Sequence, residues 1–81
     1  MSKSLRTPEQ QALQRLLAET RVAAGLTQAQ LASRLSRPQS FVAKYEIGER
    51  RLDLIEFCAV ARSLDQEPIE LLGRFLEVAG V

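Results

Sequence analysis

An all-helical fold is predicted by three observations on this 81-residue chain. Helix-start signals recur at Thr7-Pro8-Glu9-Gln10, Thr27-Gln28-Ala29-Gln30 and Asp53-Leu54-Ile55-Glu56. Each pairs a capping oxygen with a side chain three positions on that can bond back to the cap. Leucine and alanine then follow at three- and four-residue spacing, the period of one helix face. Strand signals are nearly absent, with aromatics at 5% of the chain and no alternating runs of β-branched residues. The length suits one domain over residues 1–81, its core at about 8–79 and residues 1–6 expected to be flexible.

Five helices follow in order. In the first, Thr7 caps, Pro8 takes the first helical position and Gln10 completes a capping box. Leu13, Leu16, Leu17 and Ala24 fall on one face, and Gly25 supplies a left-handed stop. The second is capped by Thr27 with Gln30 reaching back, and Leu31, Ala32 and Leu35 form its buried edge. Helices below ~12 residues are marginal alone in water, so tertiary contact must hold it. The third begins at Pro38 and runs to about Glu46, with Val42 and Tyr45 inward and Gly48 ending it. The fourth opens on Asp53 and carries a stripe of Leu54, Phe57, Cys58, Ala61 and Leu64.

The fifth helix starts at Pro68, runs to about Ala79 and has two apolar faces. Ile69, Leu72 and Leu76 make one; Leu71, Phe75 and Val78 make the other. A small core needs only one face, and surplus apolar surface often marks a partner interface. Leu71, Phe75 and Val78 are taken as the candidate homodimer contact.

Composition narrows the function. There is no histidine and one cysteine, so neither an internal disulfide nor a Cys/His zinc cluster is available. No metal or cofactor is expected. The commonest general base is missing, and neither a paired-carboxylate constellation nor a Gly-rich phosphate loop is seen. Cys58, on an apolar stripe, reads as an inert core thiol. No catalytic residue is therefore assigned, and an enzyme is the weakest reading. No apolar run approaches the ~20 residues of a bilayer span, which points to the cytoplasm. Net charge is only +1, yet residues 1–51 carry +5 and residues 52–81 carry −4. Phosphate affinity follows the local field rather than the total, so the polarised chain remains a credible ligand for nucleic acid.

The spacing of Leu31, Ala32, Leu35, Val42 and Tyr45 places these residues where two crossed helices must touch. Ala32 sits where a larger side chain would overpack the contact. With Thr27-Gln28 before it and Glu46-x-Gly48 after it, this pattern resembles the Cro and lambda-repressor-like helix-turn-helix family, the Xre family. The resemblance covers roughly residues 10–73. It implies a compact five-helix domain that binds double-stranded operator DNA, usually as a two-fold dimer, with the third helix reading the major groove.

Gln39, Ser40 and Lys44 match the family positions that face base edges. Chemistry agrees: glutamine can pair with adenine, lysine can donate to guanine O6 or N7, serine is permissive, and Ala43 could touch a thymine methyl. Gln28 matches a position that grips phosphate, beside Thr27 at the same helix N-terminus. Arg37, Arg50 and Arg51 flank the recognition helix and are candidates for further phosphate contacts. In the family, residues at the positions of Arg21 and Glu46 form an ion pair, and a cation would also relieve a carboxylate at a helix C-terminus.

Three positions depart from the family pattern. Ser36 stands where glycine is common, at a cost of roughly 1 kcal/mol if the backbone is left-handed. Arg37 replaces an aliphatic residue. Phe41 replaces a small polar one, and could cover the base of the recognition helix, meet a thymine methyl or meet a protein partner, with core packing the plain alternative.

The leading expectation is a prokaryotic or phage-type transcriptional regulator, a repressor binding an inverted repeat as a homodimer in the cytoplasm and associated with the nucleoid. No small-molecule effector and no membrane partner are expected. Two alternatives share the fold: a protein-interaction module, and a DNA-binding antitoxin acting with a toxin partner.

Overall fold

Every helix begins where a side chain accepts an early N–H or a proline presets the backbone. The computed structural model describes residues 7–80, and the expected flexibility of residues 1–6 lies outside that range. The elements are α1 (Pro8–Ala23), α2 (Gln28–Leu35), α3 (Gln39–Ile47), α4 (Leu54–Ser63) and α5 (Pro68–Ala79). No strand occurs among the described residues. Complete capping boxes open α2, from Thr27 and Gln30, and α4, from Asp53 and Glu56. At α1, Thr7 Oγ1 accepts from Gln10 N at 3.1 Å, which is half of the expected box. Pro38 is the N-cap of α3 rather than its first residue, because its ψ of 155° is extended.

The helix ends share one device. Gly25, Ser36, Gly48, Asp65 and Gly80 have positive φ. After four of them the next N–H bonds five residues back: Leu26 to Arg21 O, Arg37 to Ala32 O, Glu49 to Lys44 O and Gln66 to Ala61 O. This closure satisfies carbonyls that the helix leaves without partners. Gly48 is constrained twice, since a Cβ there would also lie 2.7 Å from Gln14 Nε2.

Leu16, Leu17, Leu31, Ala32, Phe41, Val42, Tyr45, Phe57, Val60, Ala61, Leu64 and Leu71 form one continuous core. α2 and α3 pack most closely, α1 backs α3, and α5 closes the far side on α1 and α4. Ala32 is 1% exposed, as the crossing of two helices in close contact requires. Ala24 is not part of the α1 face; it is exposed at the helix end. Thr20 takes its place in the core, its hydroxyl donating to Leu16 O at 2.7 Å and so remaining satisfied. On α4, Leu54 is exposed and Val60 fully buried, which turns the stripe toward the later residues. Cys58 is half-buried.

The assignment of the α5 faces is corrected. Leu71 is fully buried and Phe75 packs against the core. Val78 is exposed, lining a small cavity with Ala12, Arg15, Leu16 and Glu19 of α1. The first two have their surface covered within the protomer, because α5 docks by this face onto α1 and α4. The apolar surface left open is Val78 together with the opposite face, Ile69, Leu72 and Leu76.

Ser36 does adopt the left-handed backbone, at φ 56° and ψ 42°. Ser36→Gly should raise stability by about 0.5–1 kcal/mol, the relief of Cβ strain slightly exceeding glycine's extra unfolded-state freedom. Denaturant titration reads this directly, and an unchanged or lower midpoint would show that the serine is not strained.

Candidate nucleic-acid interface

α3 is held by one side and open on the other. Phe41, Val42 and Tyr45 are buried, whereas Gln39, Ser40, Lys44 and Ile47 are exposed and Ala43 is half-buried. These last five recur at helical spacing, so they project together from one face. The structure thus brings all four expected base-reading residues onto one surface, and adds Ile47 at its C-terminal end. Ile47 had no sequence signal beyond its position next to Gly48.

The α2 edge of this face is fixed by the ion pair expected from the sequence. Arg21 Nε donates to Glu46 Oε2 at 2.8 Å and Arg21 Nη2 to Oε1 at 3.2 Å. Their side chains are only 14% and 6% exposed. Gln28 Nε2 adds a third bond to Glu46, at 2.9 Å, and Arg21 Nη1 also holds Leu26 O at 2.7 Å. One carboxylate therefore joins α1, the start of α2 and the end of α3. Its hydrogen bond outweighs desolvation in raising the Arg21 pKa, so the guanidinium stays charged. Burial, more than any neighbouring charge, pushes the Tyr45 phenol up as well and keeps it neutral.

Gln28 is consequently more constrained than a solvent-facing phosphate ligand. Its amide nitrogen faces Glu46, while its oxygen receives a long bond of 3.5 Å from Gln39 Nε2. That contact links the buried pair to Gln39, the first residue of the outward face of α3. Thr27 caps α2 through its hydroxyl, and its own N–H is taken by Gln30 Oε1 at 2.8 Å.

The opposite edge is built around Phe41. Its ring is 7% exposed and meets Tyr45 edge-on at 5.6 Å, so core packing is its role. The guanidiniums of Arg37 and Arg50 lie over the ring, 4.4 and 4.8 Å from its centroid. Arg50 makes a two-point bond to Glu56, at 2.8 and 2.7 Å, and holds Arg51 O at 2.7 Å. Arg37 reaches the same carboxylate only at 3.5 Å. Arg51 is exposed. Glu56, expected only to cap α4, is the anion of this edge as well. Arg34, also unanticipated, ties α2 to the end of α4 through Ser63 O at 2.8 Å.

Among the described residues, no group of His, Cys, Asp or Glu is placed to hold a metal, and no helix is long and apolar enough to cross a membrane.

Two predictions follow from these edges. Arg21→Ala should destabilise the fold by about 3 kcal/mol, because it leaves Glu46 buried without its cation. Arg15→Ala, on the exposed side of α1, should change stability little, and equal losses in paired denaturant titrations would rule out a special role for Arg21. The Glu56 carboxyl is held down from 4.5 to about 2, first by the Arg50 hydrogen bond and then by the Asp53 N–H. Between those values the unfolded chain binds more protons, so stability from this group is present above pH 4.5 and lost as pH falls toward 2. Glu56→Gln should flatten that part of the acid-denaturation profile.

Comparison with known proteins places this geometry in context. The family profile of the helix-turn-helix domain matches residues 12–80. An XRE-family like protein from Pseudomonas syringae pv. tomato str. DC3000 is similar at 49% identity, with 93% of this chain and 92% of that one covered and a TM-score of 0.84. The restriction-modification controller protein C.AhdI from Aeromonas hydrophila is 34% identical over 80% of this chain and 98% of its own, with a TM-score of 0.74. The clp gene regulator ClgR from Corynebacterium glutamicum shares the fold, with a TM-score of 0.78 at 18% identity over 89% of this chain and 77% of its own. No curated protein sequence matches the chain.

Proposed function

Because this chain belongs to the XRE family of helix-turn-helix DNA-binding regulators, we propose that it is a transcriptional repressor acting as a homodimer on an inverted repeat. The observation that carries the reading is the outward face of α3, where Gln39, Ser40 and Lys44 project together with polar edges on both sides. A recognition helix works this way in the major groove: its early side chains reach base edges while flanking groups settle on the backbone phosphates.

Gln39 is assigned to an adenine, Lys44 to a guanine, Ser40 to a base or phosphate, and Ala43 to a thymine methyl. Arg37, Arg51 and the α2 N-terminus at Thr27 and Gln28 are assigned to phosphates. Arg21 and Glu46 orient α3 and touch no DNA. Self-association is assigned to the open face of α5, where Ile69, Leu72 and Leu76 lie exposed, and which is remote from α2 and α3 in packing. The site of action is the cytoplasm, on the nucleoid. The competing interaction-module reading drew on Phe41 and on the surplus apolar face of α5; Phe41 is buried, and the α5 face remains open.

Selection of bound duplexes from a random pool should return a palindromic consensus, whereas a single asymmetric site would overturn the homodimer. Gln39→Ala, on a fold that melts like the wild type, should lose preference at one base pair per half-site by about 1–3 kcal/mol. An unchanged consensus would remove Gln39 from the reading set.

A further inference from the structure

The two arginines stacked on Phe41 are chemically alike and sit in one place, yet they are held differently. Arg50 has a two-point bond to Glu56 and a third to a backbone carbonyl, all at 2.7–2.8 Å. Arg37 makes one hydrogen bond among the described residues, at the 3.5 Å limit, and its side chain is 45% exposed. Stacking on the ring, not hydrogen bonding, fixes where its guanidinium stands. Glu56 in turn is anchored by more than Arg50, since its Oε1 accepts from Asp53 N at 2.9 Å as the capping box of α4. The carboxylate therefore cannot leave without disturbing a helix start.

A two-point guanidinium–carboxylate pair uses the same fork of donors that would grip a DNA phosphate. One carboxylate neutralises one of the two cations and leaves the other in excess. Arg37 stands two residues before Gln39, at the entrance to the reading face. Its side chain is 45% exposed over the ring, so it has donors left for a further ligand.

We propose that Glu56 is an internal stand-in for a DNA phosphate: it keeps Arg50 from the DNA and, with Phe41 as platform, leaves Arg37 as the one of the two stacked arginines that contacts a phosphate. Glu56 and Phe41 are then positioning residues that set the number of backbone contacts rather than the bases read. The inference rests on the DNA-binding reading above and divides two arginines that sequence alone treats as equal.

Counterion release gives a readout that a merely structural glutamate would not move. The slope of log K against log salt changes by about 0.9 for each phosphate gained or lost. The probe is a short fluorescein-labelled DNA duplex of arbitrary sequence, titrated between about 50 and 200 mM salt. Glu56→Gln keeps an oxygen for the capping bond and should steepen the slope by about 0.9 as Arg50 is released. Arg37→Ala should make it shallower by about the same amount. The double variant Glu56→Gln/Arg50→Ala should return to the wild-type slope. If Glu56→Gln leaves the slope unchanged while the wild type binds, the proposal is wrong and the DNA reading stands. A steeper slope retained in the double variant also overturns it, since the gain would not come from Arg50. Absence of wild-type binding at the lowest salt would sink both.

Discussion

The pair of Arg21 and Glu46 is the constraint on which the rest of the arrangement depends. α3 is nine residues long and α2 eight, too short for either to hold its own direction in water. Apolar contact fixes how deeply they sit, but it is non-directional and leaves rotation about the helix axis loosely set. The buried carboxylate supplies direction, taking bonds from α1 and from the first residue of α2 while belonging to α3. Rotation about the axis would break this bidentate contact, so the outward row of α3 inherits its aim from the buried pair.

The two edges of that row solve different problems. On the α2 side the charges cancel in a nearly dry site, and the outcome is geometric. On the Phe41 side two cations share one carboxylate beside an aromatic face, so charge remains in excess. Aromatic rings tolerate a guanidinium overhead because their faces are electron-rich. Phe41, buried in the core against Tyr45, thereby also seats the two arginines over its ring.

Much of this was legible in the sequence because it is written in local chemistry. Thr27 with Gln30 and Asp53 with Glu56 mark helix starts by spacing alone, and Leu31, Ala32, Val42 and Tyr45 declare a two-helix contact. The outward row of α3 could be named because a helix face is periodic. What stayed hidden is non-local. Glu56 looks like half of a cap until the fold brings Arg37 and Arg50 to it from nineteen and six residues away. Gln28 gave no sign of bonding Glu46, eighteen positions on. α5 was misread for a related reason: two faces of similar apolarity offer no way to choose, and only docking on α1 and α4 shows that Leu71 belongs inside.

The recurrent closure of helix ends has a kinetic consequence. Each left-handed residue turns the chain back within a few positions, so the connections are short and most contacts are local in sequence, although α1 also packs on α3 and α5, and α2 on α4. Loop-closure entropy is then small, and chains with such local topology cross the folding barrier in microseconds to milliseconds. The individual helices, from eight to sixteen residues, gain their stability mainly from one shared core. Opening is thus expected to be all-or-none, with no state in which the reading helix persists after the core is lost. In a cell, the population able to occupy DNA and the population open to proteolysis would be set by one equilibrium, so a small change in core packing would alter the protein's lifetime and its occupancy together.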